Sequence, residues 1–402
     1  MAATSGYQAG TEANAAALSY GVEATWGTAP ATMFQAIRFM SETLGQDKTR
    51  ARPGEIPGNR EVLAAVTTQQ GASGGINFAF SYGTYDDLLS VLLGNDWGTA
   101  QTIAGVAGDI TITNLTSTTA TLSSTTANKF QNIALGQWIR TFGFTNAANN
   151  DFWRVTARAS NVSMTLTKAN TGAAPVTETP GTTLAQVRAQ TIQNGKQFKS
   201  LYFQKKLAPA LWLQYPGLFI SGATLSGGVG QFLQGSFTTL AQQELSATAD
   251  ASTGGITAAP TGRVHDPVTG WRGAFIADAP IGATLQKFSL SIQNTGAAGE
   301  FGMGSPSMQG ILQGSMEVTG TFDVFFRDFT LYAKYQAETS GAFEIITADA
   351  AGNAYAITVL NANIFAKIPV AGPNQGVMAS FTVEGNPQAG GGTIQIDKLP
   401  AT

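Results

Sequence analysis

Cysteine is absent from the 402 residues, and histidine occurs once, at His265. The first absence excludes disulfide staples, thiolate metal sites and cysteine nucleophiles. The second makes any Ser-His-Asp or His-based metal chemistry depend on one side chain, set in the polar, turn-rich stretch GRVHDPVTGW and expected at the surface. Charge is scarce too, at 12% of residues with a net of -3, about half the usual charged share. No basic block exceeds KTRAR at Lys48–Arg52, so a nucleic-acid reader is not expected. No window approaches the roughly 18 consecutive apolar residues of a membrane span. The opening MAATSGYQAGTEANAAALSYGVE has neither the basic nor the apolar region of a signal peptide. The expectation is a protein made and kept in solution in the cytosol, without a membrane partner.

What fills the chain is Gly, Ala, Ser, Thr, Asn and Gln around an ordinary hydrophobic share of 43%. The length suits two or three domains, each able to bury a core. Short alternating runs dominate, among them FQAIRFM, ITITNLT, QWIRTFGF, DFWRVTARAS, VSMTLTK, LWLQYPGLFISGATLSG, GQFLQGSFTTLA, KFSLSIQN, GSMEVTGTFDVFF, AYAITVLNANIFAKI and GVMASFTVEG. This is a mainly β protein with few helices. TADASTGGITAAPTG and QAGGGT read as linker or surface loop, being polar, small and aperiodic.

One stretch breaks the alternation. In NFAFSYGTYDDLLSVLLGNDWG, Phe78, Phe80 and Tyr82 keep a strand's period, and Tyr85, Leu88, Leu89 and Leu92 then fall on one helix face. The same switch recurs in FDVFFRDFTLYAKY, where Phe322, Val324 and Phe326 alternate before Phe329 and Tyr332 take helical spacing. Later GQFLQGSFTTL matches NQGVMASFTVE, with Ser236-Phe237-Thr238 opposite Ser380-Phe381-Thr382. One unit thus occurs twice, Phe78 aligning with Phe322 and Phe237 with Phe381. The two spacings disagree, so the first copy must carry an insertion after its helix. The Thr-rich block 101–190 supplies it: a small β domain seated on the outside, where insertion is cheapest, with Trp138, Phe142, Phe152 and Trp153 expected in its core. The organisation read from this is a first unit in 1–100, the insert in 101–190, the rest of the first unit in 191–247, a linker or loop in 248–280 and a second unit in 281–402.

Enzyme chemistry finds little purchase. Asp86 and Asp87 are adjacent on a helix and point about 100° apart, so they do not converge on a bond; Asp86 suits the positive end of the helix dipole. GAAGEFGMG lacks the Lys-Ser/Thr of a phosphate loop, and DAAGN holds one carboxylate and reads as a hairpin turn. No catalytic, cofactor or metal site is expected.

ALSYGVEATWGTAP, then SETLGQDKTRARPGEIPGNREV, then GGINFAFSYGTYDDLLSVLLG resemble the N-terminal half of the major tail tube proteins of long-tailed, non-contractile (siphovirus-type) bacteriophages. KFSLSIQN, MEVTGTFDVFFRDF, DAAGNAYAITVLNANI and VMASFTVEG resemble the second half. The resemblance covers nearly the whole chain except the Thr-rich insert. It implies two β-sandwich or barrel units, each with a short flanking helix, in a structural subunit of stacked rings around a channel through which viral DNA passes without specific binding. Tape measure, tail terminator and distal tail proteins are the implied partners, and the virion tail the implied location, after synthesis in the bacterial cytoplasm. A duplicated chain would build the ring as a trimer with pseudo-sixfold symmetry, a true hexamer being the runner-up. Tyr85, Leu88, Leu89 and Leu92 would close the outer face of the first sandwich, and Phe329 and Tyr332 that of the second. The charge-dense segment from Gly45 to Gly74, with Lys48, Arg50, Arg52, Glu55, Arg60 and Glu61, occupies the place of a hairpin that reaches the next ring, where opposite charges fix register. A different class also stands open: an extracellular adhesin or carbohydrate-binding β protein, suggested by the aromatic-bearing insert.

Overall fold

The computed structural model describes residues 11–56, 58–169, 172–180, 185–370 and 372–401. Its backbone is organised by one contiguous antiparallel sheet. From edge to edge the order is Ser41–Glu42 with Gly45–Ala51, then Val66–Ala79, Gln231–Ala241, Leu211–Gly228, Leu285–Thr295, Ser315–Phe325, Met378–Asn386 and Ala354–Lys367. The first four positions come from the first copy of the repeat and the last four from the second.

Alternation gives this sheet one wet and one dry face. The row Ser41, Asn77, Ser236, Thr224, Ser291, Thr319, Glu384, Asn363 crosses every strand and is polar throughout. A neighbouring row, Phe78, Gly235, Leu225, Leu290, Gly320, Val383, Ile364, is apolar and enters the main core. Gly235 is required there, because a Cβ would lie 2.4 Å from the Phe78 ring and 2.7 Å from the Thr224 carbonyl oxygen.

A second layer backs each half. The long strands Leu211–Gly228 and Ala354–Lys367 run in the front sheet by their C-terminal ends and in the second layer by their N-terminal ends. There the first pairs with Leu201–Ala208 and Leu245–Ala247, and the second with Gly341–Ala348 and Ile394–Leu399. Both long strands bulge at the same place, opposite Tyr202 and Ala342. Apolar side chains of both halves, including Phe78, Phe237, Leu290, Ile357 and Ile396, form one core.

The repeat is offset from its sequence alignment. Ile76 pairs with Phe237 and Phe322 pairs with Phe381; the Phe80 N–H donates to the Leu233 carbonyl at 2.9 Å, and the Phe326 N–H to that of Val377 at 3.0 Å. Phe322 therefore corresponds to Ile76, not to Phe78. A strand pattern of period two looks the same after a shift of two residues, so alternation alone could not choose.

The helices differ between copies. α1, Asp86–Leu93, starts on two acids and ends at Gly94, whose φ of 58° is left-handed. Tyr85, Leu88, Leu89 and Leu92 are buried, and so are Ser90, Val91 and Leu93: the helix is enclosed between the halves instead of closing an outer face. Asn294 Nδ2 of the second half donates to the Leu92 carbonyl at 3.1 Å, and Tyr355 and Lys398 both engage the Asp86 carboxylate. α2, Thr330–Gln336, buries no residue; Phe329 is 66% exposed and Tyr332 half-buried. The expected packing of Phe329 on the second sandwich is therefore not made: among the described residues no unit lies beside α2 as the second half lies beside α1.

The segment read as linker contains the strand Trp271–Ile276, paired with Gly341–Ala348, and a short parallel pairing of Ile256–Thr257 with Phe34–Gln35. His265 is fully buried, contrary to its expected surface position. Its N–H donates to the Phe80 carbonyl at 2.9 Å, its carbonyl accepts from the Leu233 N–H at 3.1 Å, and Nδ1 lies 2.9 Å from Thr347 Oγ1. Burial pushes the imidazole down to about 4, so it is neutral at pH 7.

Strands between Gln101 and Gln193 form a separate sheet in the order Ile110–Asn114, Thr119–Ser124, Ser163–Lys168, Phe152–Ser160, Trp138–Phe142, Gln186–Gln193, Gln101–Ala104. Trp153 lies in its own core. Trp138 and Phe152 instead join Phe275, Ile346 and Leu399 at the junction with the second half, and Phe142 is half-buried beneath the Arg140 and Arg188 guanidiniums. The sheet's strand Gln186–Gln193 also pairs with Ile394–Leu399. Across this junction Arg154 forms ion pairs with Asp278 and Glu344. Asp397 Oδ2 accepts from the Trp138 N–H at 3.2 Å and from Gln395 at 2.8 Å.

Two measurements follow from these contacts. Gly235→Ala should lower stability by about 1–3 kcal/mol, read as a fall in melting temperature; an unchanged melt would mean that the Phe78 ring moves aside freely. Burial pushes the Asp397 carboxyl from 3.8 up to about 7. The folded state therefore holds this proton more tightly than the unfolded chain, and the contribution present at low pH is lost as pH rises through about 7, with a slope of at most about 1.4 kcal/mol per pH unit. Melting temperature of the parent should fall, relative to that of Asp397→Asn, between about pH 4 and 7 and level off above. An equal fall in Asp397→Asn would assign the dependence to another group.

Candidate assembly surfaces

Backbone hydrogen bonds left open at a sheet's ends are the first surface this architecture creates. At one end, Gly45–Ala51 pairs on a single side, with the strand Val66–Ala79. At the other, Asn361–Lys367 pairs on a single side over most of its length, with Met378–Asn386.

The second surface is the hairpin that extends the Gly45–Ala51 edge. Lys48, Arg50, Arg52, Glu55, Arg60 and Glu61 all lie on it and all are exposed. Arg50 donates to the Ala65 carbonyl at 3.2 Å and Arg52 to that of Leu63 at 2.8 Å, so two of the guanidiniums tie the hairpin's arms together. Among the described residues none of the six forms an ion pair. Beside them Ile56 is 96% and Val62 77% exposed. At the hairpin's base, the Gln70 N–H donates to the Pro306 carbonyl at 2.7 Å and Gln70 Nε2 to Ser307 Oγ at 2.8 Å. This holds it against the second copy's much shorter hairpin, Ala298–Glu300 with Gly310–Leu312.

A third surface is aromatic. Phe326, Phe329, Tyr332 and Tyr335 form a row with successive ring centroids 5.3, 6.0 and 5.5 Å apart. Beside it lies a cavity of about 190 Å³ bounded by Ile276, Val324, Leu331, Lys334 and Phe381 among others. Phe365, 45% exposed, approaches Tyr335 at 6.3 Å. Sequence reading singled out Phe329 and Tyr332 but passed over Phe365 and the exposed Leu211. Their only signal was a large apolar residue near the end of a strand, which is common on any surface.

The acids considered for chemistry have structural employment. Asp86 is held by Tyr355 and Lys398, and Asp87 accepts from the Tyr20 hydroxyl at 2.9 Å. Among the described residues no group of three or more His, Cys, Asp or Glu is placed to hold a metal ion.

Open sheet edges, an exposed hairpin and an unpaired aromatic row are features of a protein completed by its neighbours. No curated protein matches the chain. The sequence profile of the phage tail tube proteins matches residues 13–385, spanning both halves and the inserted sheet. This match favours a structural subunit over the adhesin reading, and with it a component of the virion tail that assembles with its own kind. The chain belongs to the phage tail tube protein family.

Proposed function

We propose that the protein builds the tail tube of a long-tailed, non-contractile phage as stacked rings of three chains with pseudo-sixfold symmetry. The observation that carries this is the joint between its halves. Gly222–Gly228 pairs antiparallel with Lys287–Gln293 and fuses two copies of one unit into a continuous sheet. Three chains joined in the same way would supply six units to a closed wall.

The polar face of the sheet suits the channel. Ser, Thr, Asn and Gln predominate on it, and Lys287, which projects from that face, is paired with Asp323 at 3.0 Å. A duplex sliding past repeated rings must not be held by unpaired cations, since each phosphate contact adds a salt-dependent increment of affinity. The inserted sheet is attached to Ile394–Leu399 in the second layer, which supports a position on the outside of the wall. The Gly45–Gly74 hairpin, with charges and aliphatic side chains unpartnered at its tip, fits a reach to the next ring. Tape measure and tube-end proteins are the further partners expected of such a tube.

Image averages of assembled protein should show three chains per ring; six would overturn the trimer. Deleting Arg50–Arg60 should leave a folded chain with an unchanged far-ultraviolet spectrum that makes rings but no long tubes. Tubes of normal length from that deletion would remove the stacking role.

A further inference from the structure

The chain contains a closed example of the contact that its two ends leave open. At the internal joint the front strands pair from Gly222–Gln293 to Gly228–Lys287. Behind them, Tyr355 is 1% exposed; its hydroxyl accepts from the Gly83 N–H at 2.9 Å, just before α1, and its ring lies 5.2 Å from that of Phe80. Asn294 caps the far end of the same helix through the Leu92 carbonyl.

Each participant has a counterpart at an open end. Ala223 pairs with Phe237 and Ala366 with Phe381, so Ala366 stands for Ala223. Glu42 pairs with Ile76 and Phe288 with Phe322, so Glu42 stands for Phe288, and the same step along the strands puts Lys48 in the place of Asn294. Counting back along the long strands from Phe219 and Asn363, whose partners Leu240 and Glu384 correspond, Leu211 takes the place of Tyr355. Phe326 takes the place of Phe80. The exposures are complementary: Phe80 and Tyr355 are 3% and 1% exposed in the closed joint, whereas at the open ends Leu211 is 54% exposed and Phe326 half-buried, with Phe329 beside it 66% exposed.

Resting on the ring reading above, we infer that a second copy of this chain adds its Leu44–Asp47 edge to the Phe365–Ile368 edge in the register of the internal joint, with the aromatic row of α2 seated on the second copy's Leu211. That register sets Phe365 opposite Asp47, Ala366 opposite Gln46 and Lys367 opposite Gly45 of the next copy. Lys367 then has Asp47 as a diagonal neighbour of opposite charge. Lys48 of the next copy, standing where Asn294 stands, comes to the carbonyl end of α2, where a cation is favoured by the helix dipole. The contact is head-to-tail, since each chain offers one end of each kind, and such a contact closes into a ring when its rotation divides a full turn.

The absence of native cysteine makes the register directly measurable. In the variant Asp47→Cys/Phe365→Cys, mild oxidation of assembled protein should give covalent dimers and trimers on a denaturing gel. Gln46→Cys/Phe365→Cys, whose two side chains fall on opposite faces, should give far fewer. Phe329→Ser, at an exposed position, should melt like the parent yet need about tenfold or more protein to form rings. Rings in which Asp47→Cys/Phe365→Cys stays uncross-linked, or Phe329→Ser assembling at the parent's concentration, would overturn this contact and leave the tube reading standing. A parent that forms no rings at any concentration would overturn both.

Discussion

A β-sheet cannot end without leaving a row of main-chain donors and acceptors unpaired, and the rest of this structure is arranged around that constraint. Inside the chain it is met by joining one copy of the repeat to the other through Gly222–Gly228 and Lys287–Gln293. The joint lets one core run beneath both copies, and it encloses α1 so fully that Leu88 to Leu93 are all buried. In the proposed ring, the chain's two outer edges would pass the same requirement on to a neighbouring copy. Low charge fits such a ring, in which large parts of the surface would meet protein and not water.

The parts of the fold legible from sequence were those with a strong local period. Leu88, Leu89 and Leu92 announced a helix, which is found there, and Phe78, Phe80 and Tyr82 a strand, which ends at Ala79, with Phe80 keeping one main-chain bond to Leu233 and Tyr82 already in the turn before the helix. Three features lay beyond that signal. Phe322 was matched to Phe78 in place of Ile76, because period-two patterns are degenerate under a shift of two residues. His265 looked like a surface residue because its neighbours are polar; its burial comes from main-chain pairing with Phe80 and Leu233, which no side-chain pattern encodes. The strand Trp271–Ile276 was hidden by its glycine and arginine, and only pairing with Gly341–Ala348 makes it regular. Of the assembly surfaces, the hairpin charges stood out against a charge-poor chain. Phe365 and Leu211 did not, since their meaning depends on which strand end is left uncovered.

The inserted sheet shows how a domain can be grafted without loosening its host. Its strand Gln186–Gln193 is shared with the host's Ile394–Leu399, and Trp138 and Phe152 turn away from the sheet's own core toward Phe275 and Leu399. Arg154 adds ion pairs across the seam. Such a seam transmits force as part of one body, unlike two domains on a flexible tether.

The inequality of the two hairpins has a mechanical consequence. The first copy carries the long hairpin with Lys48–Ala51 in its stem, and the second only Ala298–Glu300 with Gly310–Leu312. In the proposed ring, long and short prongs would alternate around the rim. Turning one ring by a sixth of a revolution would set every long prong over the site of a short one, so the wall's apparent sixfold evenness would hide a threefold key. Rings stacked through such prongs would have three equivalent seatings and not six, and torque applied at one end of the tube would be resisted at every interface instead of being lost to slippage.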